Sequence, residues 1–148
     1  MVENNYQEMV EEVIEDNRYL ALSTMDGAEP WVATIEYIYD DSGNFYFFST
    51  TDSRHAQHID AYETVAVAIW SADQPEYSPD VSTNLNGVQI RGEATRLSED
   101  EYPEAVTAAI EALDPPMPPY AAFKIDPHRV YAPIIDDGVN KRVEVEID

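Results

Sequence analysis

Short apolar segments separated by turn signals restrict the fold of this chain more than any other feature. Val88 to Leu97 alternates apolar or small residues with polar ones, as half-buried strands do. Val65 to Trp70 is apolar at every position, which is typical of a strand covered on both faces. Asp26-Gly27 and the polar run from Asp40 to Asn44 are turn signals between such segments. The pattern predicts a mainly antiparallel β structure.

Helical spacing predicts a first helix from Tyr6 to Asn17, and Thr51-Asp52-Ser53 is predicted to cap a short second helix. Ser98 and Glu101 form a capping-box signature for a third helix, which the proline-rich run from Asp114 to Pro119 ends. Strands are predicted at Leu20 to Met25, Trp31 to Tyr39, Phe45 to Ser49, Val65 to Trp70, Val88 to Leu97, Ala121 to Tyr131 and Arg142 to Ile147, with a long loop at Ser71 to Gly87. We therefore expect a single domain over residues 1–148, built as a small antiparallel barrel rather than a parallel α/β sheet.

Composition excludes several classes of function. The chain has 30 Asp and Glu residues against 8 Lys and Arg, for a formal net charge of −22. Such a surface repels phosphate backbones and anionic lipids, so neither nucleic acid nor a membrane is expected as a partner. The absence of Cys removes disulfides, thiolate zinc sites and Cys nucleophiles. No apolar run approaches the ~20 residues that span a bilayer, and no secretory pattern is visible, so we expect a soluble cytoplasmic protein.

The acidic residues are spread along the whole chain, which resembles the proteins of salt-in halophiles. A uniformly acidic surface repels itself in dilute buffer, whereas molar salt shortens the screening length to ~3 Å and removes most of the repulsion. The sequence therefore predicts a halophile-type protein. The alternative is an ordinary acidic cytoplasmic protein.

The segment from Thr50 to His58 is the part of this acidic chain best suited to an anion. It combines hydroxyl side chains, a Ser at the predicted start of a helix, an Arg and two of the three His residues. Helix N-termini carry unpaired N–H groups and a partial positive charge, and Arg presents a planar fork that matches phosphate oxygens. The alternative is a capped helix whose Arg and His side chains are merely solvated.

His55 and His58 lie three residues apart and could share a helix face, so a metal site must be considered. Its third ligand would have to be Asp52, Asp60 or the distant His128, and no zinc-protease spacing is present, so no metal is predicted. The sequence also lacks a nucleophile elbow, a Walker loop and a dinucleotide-binding Gly motif. No side chain is identified as a catalytic acid or base.

The segments Leu20 to Gly27, Trp31 to Asp40, Phe45 to Thr50, Ser53-Arg54-His55, Thr64 to Trp70 and Val88 to Ala94 follow one another in a familiar order. In that order they resemble the pyridoxamine 5'-phosphate oxidase-like, FMN-binding split-barrel family. The resemblance covers roughly residues 6–131. Its most specific piece is a strand followed by Ser-Thr and then by Ser53-Arg54 at the opening of a helix.

The resemblance implies a six-stranded antiparallel split β-barrel with short flanking helices. It also implies a homodimer with FMN at the subunit interface and an FMN-dependent oxidoreductase activity on a small-molecule substrate. By position, Ser53 and Arg54 would hold the FMN phosphate, with His55 where the family often has Lys. The other implied cofactor-binding residues are Ala33, Thr34, Ile35 and Glu36, largely through backbone groups along the isoalloxazine edge, and Phe48 and Ser49 beside the ribityl chain and phosphate.

Four features bear on how far the family's chemistry carries over. Tyr37 stands where the oxidases carry a phosphate-binding Lys, and Gly87 stands where they place a flavin-contacting Gln. The segment Val143 to Asp148 does not reproduce their basic substrate-binding motif. Tyr131 and Arg142 fall near a late aromatic and a late Arg of the oxidases. The alternatives are a deazaflavin-dependent reductase of the same fold and a non-enzymatic flavin- or ligand-binding module.

Overall fold

A computed structural model of the protein describes residues 2–71, 87–113, 119–136 and 139–147. Within these ranges the helices are α1 Val2–Asp16, α2 Arg54–Ala61 and α3 Glu104–Glu111. The strands are β1 Tyr19–Asp26, β2 Glu29–Glu36, β3 Ile38–Tyr39, β4 Phe45–Thr50, β5 Thr64–Trp70, β6 Gly87–Arg96, β7 Tyr120–Asp136 and β8 Val139–Val145. Most of the predicted loop from Ser71 to Gly87 and of the proline-rich run from Asp114 to Pro119 lies outside the described residues.

All strand pairs are antiparallel and belong to one sheet, in the order β2-β1-β5-β6-β7-β4-β3, with β8 added beside β7. The two ends of this order, β2 and β3, are consecutive in the chain and separated only by Tyr37. The sheet therefore curls so that its first and last strands meet. The predicted mainly β, antiparallel split-barrel fold with short helices is confirmed. The described residues contain eight strands, against the seven predicted from the sequence pattern and the six that the family resemblance implies.

The extra strand arises at Tyr37, where the predicted strand from Trp31 to Tyr39 changes partner. The Tyr37 N–H donates to the carbonyl of Arg18 at the end of β1 (2.9 Å), whereas Ile38 already pairs with Tyr46 of β4. The Tyr37 side chain is buried, and its hydroxyl donates to the carbonyl oxygen of Ile14 (2.5 Å). One predicted strand is therefore two, β2 on β1 and β3 on β4.

Helix α1 covers the inner face of the curled sheet. Its buried residues Val10, Val13 and Ile14 belong to the predicted helical stripe, so that part of the prediction is confirmed. The helix begins at Val2, earlier than the predicted start at Tyr6. No helix in the described ranges is long and apolar enough to cross a membrane.

The third predicted helix starts later than its capping signature suggests. Glu101 accepts hydrogen bonds from the backbone and hydroxyl of Ser98 (2.9 and 2.6 Å), so the predicted interaction is present. It closes only a 3-10 turn at Glu99–Glu101, and α3 begins after Pro103. The physical reason is that a residue before proline is disfavoured in the helical region, and Tyr102 is extended (φ −65°, ψ 126°).

The glycine of the Val88 to Ala94 motif is required by a close approach of two strands. A β-bulge interrupts the β6–β7 ladder between Arg91 and Gly92. A Cβ atom on Gly92 would lie 2.4 Å from the carbonyl oxygen of Asp126, a distance that real Cβ contacts do not reach. At Gly27 the requirement is a positive φ (59°), which the predicted Asp26-Gly27 hairpin turn between β1 and β2 needs.

Candidate functional site

Helix α2 begins with a polar cluster formed by Ser49, Ser53 and His55. Ser53 is the N-cap residue, and its hydroxyl accepts a hydrogen bond from the N–H of Ala56 (3.3 Å). The hydroxyl of Ser49, near the end of strand β4, lies 3.1 Å from the Ser53 hydroxyl. The predicted cap is therefore confirmed, and two hydroxyl groups meet at the positive end of the helix dipole.

The His55 imidazole closes this cluster on its inner side. Its Nε2 atom lies 2.8 Å from the Ser49 hydroxyl and 3.3 Å from the Ser53 hydroxyl. Burial, and secondly the neighbouring His58, lower the pKa of His55 below its ordinary value of 6.5. At neutral pH the ring is therefore uncharged and orders the hydroxyls without contributing a positive charge.

His58 lies on the buried side of α2, away from this cluster. Its Nδ1 atom is 3.0 Å from the hydroxyl of Thr24 on β1, and both side chains are buried. Of the described residues, no group of three or more His, Asp and Glu side chains is placed to hold a metal ion. The pair His55 and His58 is thus divided between a hydroxyl cluster and the core.

The side chain of Arg54, the first residue of α2, lies against β2. Its guanidinium carbon is 4.2 Å from the centre of the Trp31 ring, and its Nη1 atom is 3.6 Å from Oε1 of Glu29. The Arg54 side chain keeps half of its surface exposed (51%). A planar cation is therefore fixed at the start of α2 with open hydrogen-bonding edges.

One edge of β2 has no strand partner in the described part of the chain. The Tyr37 N–H bonds to Arg18, so hydrogen-bonded pairs with β1 recur at every second residue from that point. By this alternation the backbone N–H and C=O groups of Ala33 and Ile35 face β1. Those of Thr34 and Glu36 face the free edge, where a ligand could bond to them.

The structure brings some of the predicted site residues together and places others elsewhere. Ser49, Ser53, Arg54 and His55 converge at the start of α2. The Phe48 side chain does not join them, since successive strand residues face opposite sides and its ring packs edge-on against Tyr120 (5.6 Å).

Of the four predicted β2 residues, Ile35 is buried in the core and Ala33 packs against it. Thr34 and Glu36 are exposed, and Glu36 forms an ion pair with Arg18 (2.6 Å). Among the four predicted residues, only these two offer both free backbone groups and exposed side chains. The prediction that this strand acts largely through its backbone therefore has a geometric basis at Thr34 and Glu36.

A shallow concavity of about 560 Å³ on the outer face of the sheet was not foreseen as a site. Small residues form its floor and long polar ones its rim; the lining residues are Ala21, Ser23, Val32, Ala66, Val67, Ala68, Gln89, Ile90, Arg91, Tyr131 and Arg142. Only Tyr131 and Arg142 were singled out from the sequence. Gln89 on β6 pairs directly with Tyr131 on β7. This strand register brings Gln89 to the concavity, and the sequence alone does not give it.

Comparison with known proteins bears on this geometry. A model of the family described as pyridoxamine 5'-phosphate oxidase matches residues 6–132, which is most of the chain. The chain belongs to the pyridoxamine 5'-phosphate oxidase family. No curated protein sequence matches it.

Solved structures that resemble the chain are distant in sequence. A Listeria innocua protein named for pyridoxamine 5'-phosphate oxidase has a TM-score of 0.64 at 18% identity, over 88% of this chain and 96% of its own. A FAD-binding protein from Mesorhizobium loti has a TM-score of 0.60 at 18% identity, over 82% of this chain and 88% of its own. The heme storage protein HutZ from Vibrio cholerae has a TM-score of 0.65 at 14% identity, over 86% and 94%. At these identities the likeness concerns the fold.

Proposed function

We propose that this member of the pyridoxamine 5'-phosphate oxidase family is an FMN-binding flavoprotein, and that it acts as an FMN-dependent oxidoreductase. The observation that carries the proposal is that the paired hydroxyls of Ser49 and Ser53 lie at the start of α2, where Arg54 packs on Trp31 of β2, a strand with one free edge in the described residues. A phosphate monoester at one end and a planar heterocycle at the other would use both features.

The start of α2 fits a phosphate group. Ser49 and Ser53 offer hydroxyl donors 3.1 Å apart, and the first turn of α2 offers backbone N–H groups that have no partner within the helix. Arg54 adds a charge that is fixed by Trp31 rather than by a buried carboxylate. In a chain of net charge −22, such a place for an anion is unusual.

The free edge of β2 fits the polar edge of a flavin ring. Thr34 and Glu36 expose backbone N–H and C=O groups in the extended geometry of a strand. Such groups pair with a heterocycle that carries alternating donors and acceptors. FMN, when bound, supplies the redox chemistry, and these residues would bind it and fix the orientation of its ring.

We further propose that the protein is a homodimer, with the outer concavity turned toward a second copy. Val32 (63% exposed) and Trp70 (59% exposed) are large apolar side chains on strands that border it, and Ala21, Ala66 and Ala68 line its floor. A second sheet can approach such small residues closely. Light scattering or sedimentation of the purified protein measures the oligomeric state, and a monomer at micromolar concentration in both dilute and molar salt contradicts this part.

A second candidate is a ligand-binding module without redox activity, and one observation favours it. Tyr37, at the position where the oxidases carry a phosphate-binding Lys, turns into the core and bonds to Ile14. The site therefore has one fixed cation where an oxidase would have two. Two structural neighbours are named as heme proteins, the Vibrio cholerae protein and one from Mycobacterium smegmatis, so heme belongs among the ligands to test. The deazaflavin alternative needs more basic residues than this site offers.

Titration with FMN, riboflavin and heme distinguishes these functions. FMN is expected to bind and riboflavin, which lacks the phosphate, to bind much more weakly. Arg54→Ala is expected to weaken FMN roughly tenfold to a hundredfold, because a hydrogen bond to a charged group contributes about 1.5–3 kcal/mol. The matched control is Arg96→Ala, which replaces an exposed Arg at the end of β6 that pairs with Asp60 near the C-terminal end of α2. Unchanged FMN affinity in Arg54→Ala, or equal binding of FMN and riboflavin, contradicts the proposal.

We also propose that the protein is of halophile type, on the strength of its net charge of −22 and its carboxylates along the whole chain. Thermal unfolding in dilute buffer and in molar KCl tests this. We expect a higher midpoint in molar KCl, because screening removes repulsion between carboxylates. Equal or lower stability in the concentrated salt is the contrary result.

A further inference from the structure

Glu29 stands beside the cation at the start of α2. Glu29 and Trp31 are two residues apart on β2, so their side chains project from the same face of the strand. The distance of 3.6 Å between Arg54 Nη1 and Glu29 Oε1 is beyond hydrogen-bond range, and both side chains are exposed. The ion pair is therefore loose and open to exchange.

Trp31 determines which part of Arg54 a ligand can reach. At 4.2 Å from the ring centre, the guanidinium lies close over the indole and its facing side is covered. The five N–H groups of a guanidinium lie in its plane and point outward from its edges. An anion must approach along the edges of the guanidinium, and Glu29 already stands near one of them.

The polar cluster of Ser49, Ser53 and His55 adds no positive charge that would offset Glu29. The His55 ring is neutral at pH 7, since burial lowers its pKa, and Ser49 and Ser53 are uncharged. A phosphate dianion that binds Arg54 would therefore also meet the negative charge of Glu29, which lies 3.6 Å from the guanidinium. The net attraction between the phosphate and this site therefore depends on how strongly solvent ions screen the carboxylate of Glu29.

We propose that Glu29 is a resident competitor for the anion at Arg54, and that it makes phosphate affinity at this site dependent on salt. The proposal rests on the FMN site described above and adds a positioning residue that acts through Arg54. In dilute buffer Glu29 both pairs with Arg54 and repels the phosphate. At molar salt the screening length of ~3 Å is shorter than its distance to Arg54, and Glu29 loses most of its influence.

The size of the effect follows from two exposed charges a few ångströms apart. Such a pair in water interacts by about 1 kcal/mol, which corresponds to a factor of about five in affinity. Glu29→Gln keeps the size of the side chain and removes the charge. We expect this variant to bind FMN about fivefold more tightly than the natural chain in dilute buffer, and within about twofold of it in molar KCl.

The experiment measures the dissociation constant of FMN for the natural chain and Glu29→Gln, each in dilute buffer and in molar KCl. The control is Glu93→Gln, an exposed glutamate on β6 that pairs with Thr64 beyond the other end of α2. It removes one charge far from Arg54 and should change neither affinity. Riboflavin affinity should be the same for all three proteins, because riboflavin has no phosphate for Glu29 to repel. A fivefold effect that persists in molar KCl, or that Glu93→Gln reproduces, overturns the proposal.

Inorganic phosphate separates a failure of this inference from a failure of the proposed function. In a Trp70→Phe background, Trp31 is the remaining indole of the chain, so its fluorescence reports on Arg54 above it. If FMN binds to none of the proteins, the FMN function is refuted. The role of Glu29 as a competitor is then supported if, in dilute buffer but not in molar KCl, phosphate changes the Trp31 fluorescence at a lower concentration when residue 29 is Gln than when it is Glu. Equal phosphate responses, or none, overturn it.

Discussion

Ser53 has two roles that a pair of substitutions can separate, because its hydroxyl caps α2 and also faces the proposed phosphate position. Ser53→Ala removes the acceptor for the Ala56 N–H. Loss of an N-cap side chain lowers the free energy of unfolding by about 1 kcal/mol. For a chain of this length that lowers the unfolding midpoint by about 2–4 °C. The same substitution removes a hydroxyl from the phosphate position. Ser53→Ala should therefore lose both stability and FMN affinity.

Ser53→Asp should lose only one of them. Asp is as good an N-cap residue as Ser, so the unfolding midpoint should stay within about 1–2 °C of the natural chain. A carboxylate in place of the hydroxyl repels a phosphate dianion and also removes a donor. The combined loss should exceed tenfold in FMN affinity, since each of these effects is worth about 1 kcal/mol or more.

Thermal unfolding and FMN fluorescence quenching, measured on the same preparations, give both quantities. Riboflavin again serves as the ligand without phosphate, and its affinity should be equal in the natural chain and Ser53→Asp. If Ser53→Asp binds FMN as tightly as the natural chain, the phosphate does not sit at the start of α2. If Ser53→Asp is as unstable as Ser53→Ala, the hydroxyl does not act as the cap described.

Two further predictions concern stability. Tyr37→Phe should cost about 1–3 kcal/mol in a denaturant titration, because the Ile14 carbonyl lies in the last turn of α1 and loses its buried donor; an unchanged midpoint argues against this anchor. The lowered pKa of His55 means that the unfolded chain binds more protons just below pH 6.5, so stability should fall as the pH drops through that value. His55→Gln should reduce this dependence of the unfolding free energy on pH, and an identical dependence in the variant contradicts the reasoning.

The parts of the molecule that depend on neighbouring residues in the chain were predictable from the sequence. The Asp26-Gly27 turn, the Ser53 cap and the helical stripe of α1 each follow from a local signal and are confirmed. The capping pair of Ser98 and Glu101 was also found, but Pro103 separates its turn from α3. Local signals therefore locate elements better than they locate element ends.

The contacts of Arg54 were not predictable in the same way. The sequence indicated an Arg at the opening of a helix, but its position over Trp31 and beside Glu29 depends on where β2 lies relative to α2. That placement depends on strand pairings across the whole sheet. The outer concavity has the same origin, since its lining combines residues of β1, β2, β5, β6, β7 and β8.

The change of partner at Tyr37 explains why the site lies where it does. Because the chain leaves β1 at this residue and joins β4, the outer edge of β2 has no strand beside it in the described ranges. For the same reason β3 pairs with β4 only at Phe45 and Tyr46, so β4 runs on to Ser49 without β3. Helix α2 begins at Arg54, a few residues after this part of β4, and Arg54 packs on Trp31 of β2. The topology of the sheet thus positions the candidate site, and the residues from Ser49 to His55 supply the groups from which we infer an anion site.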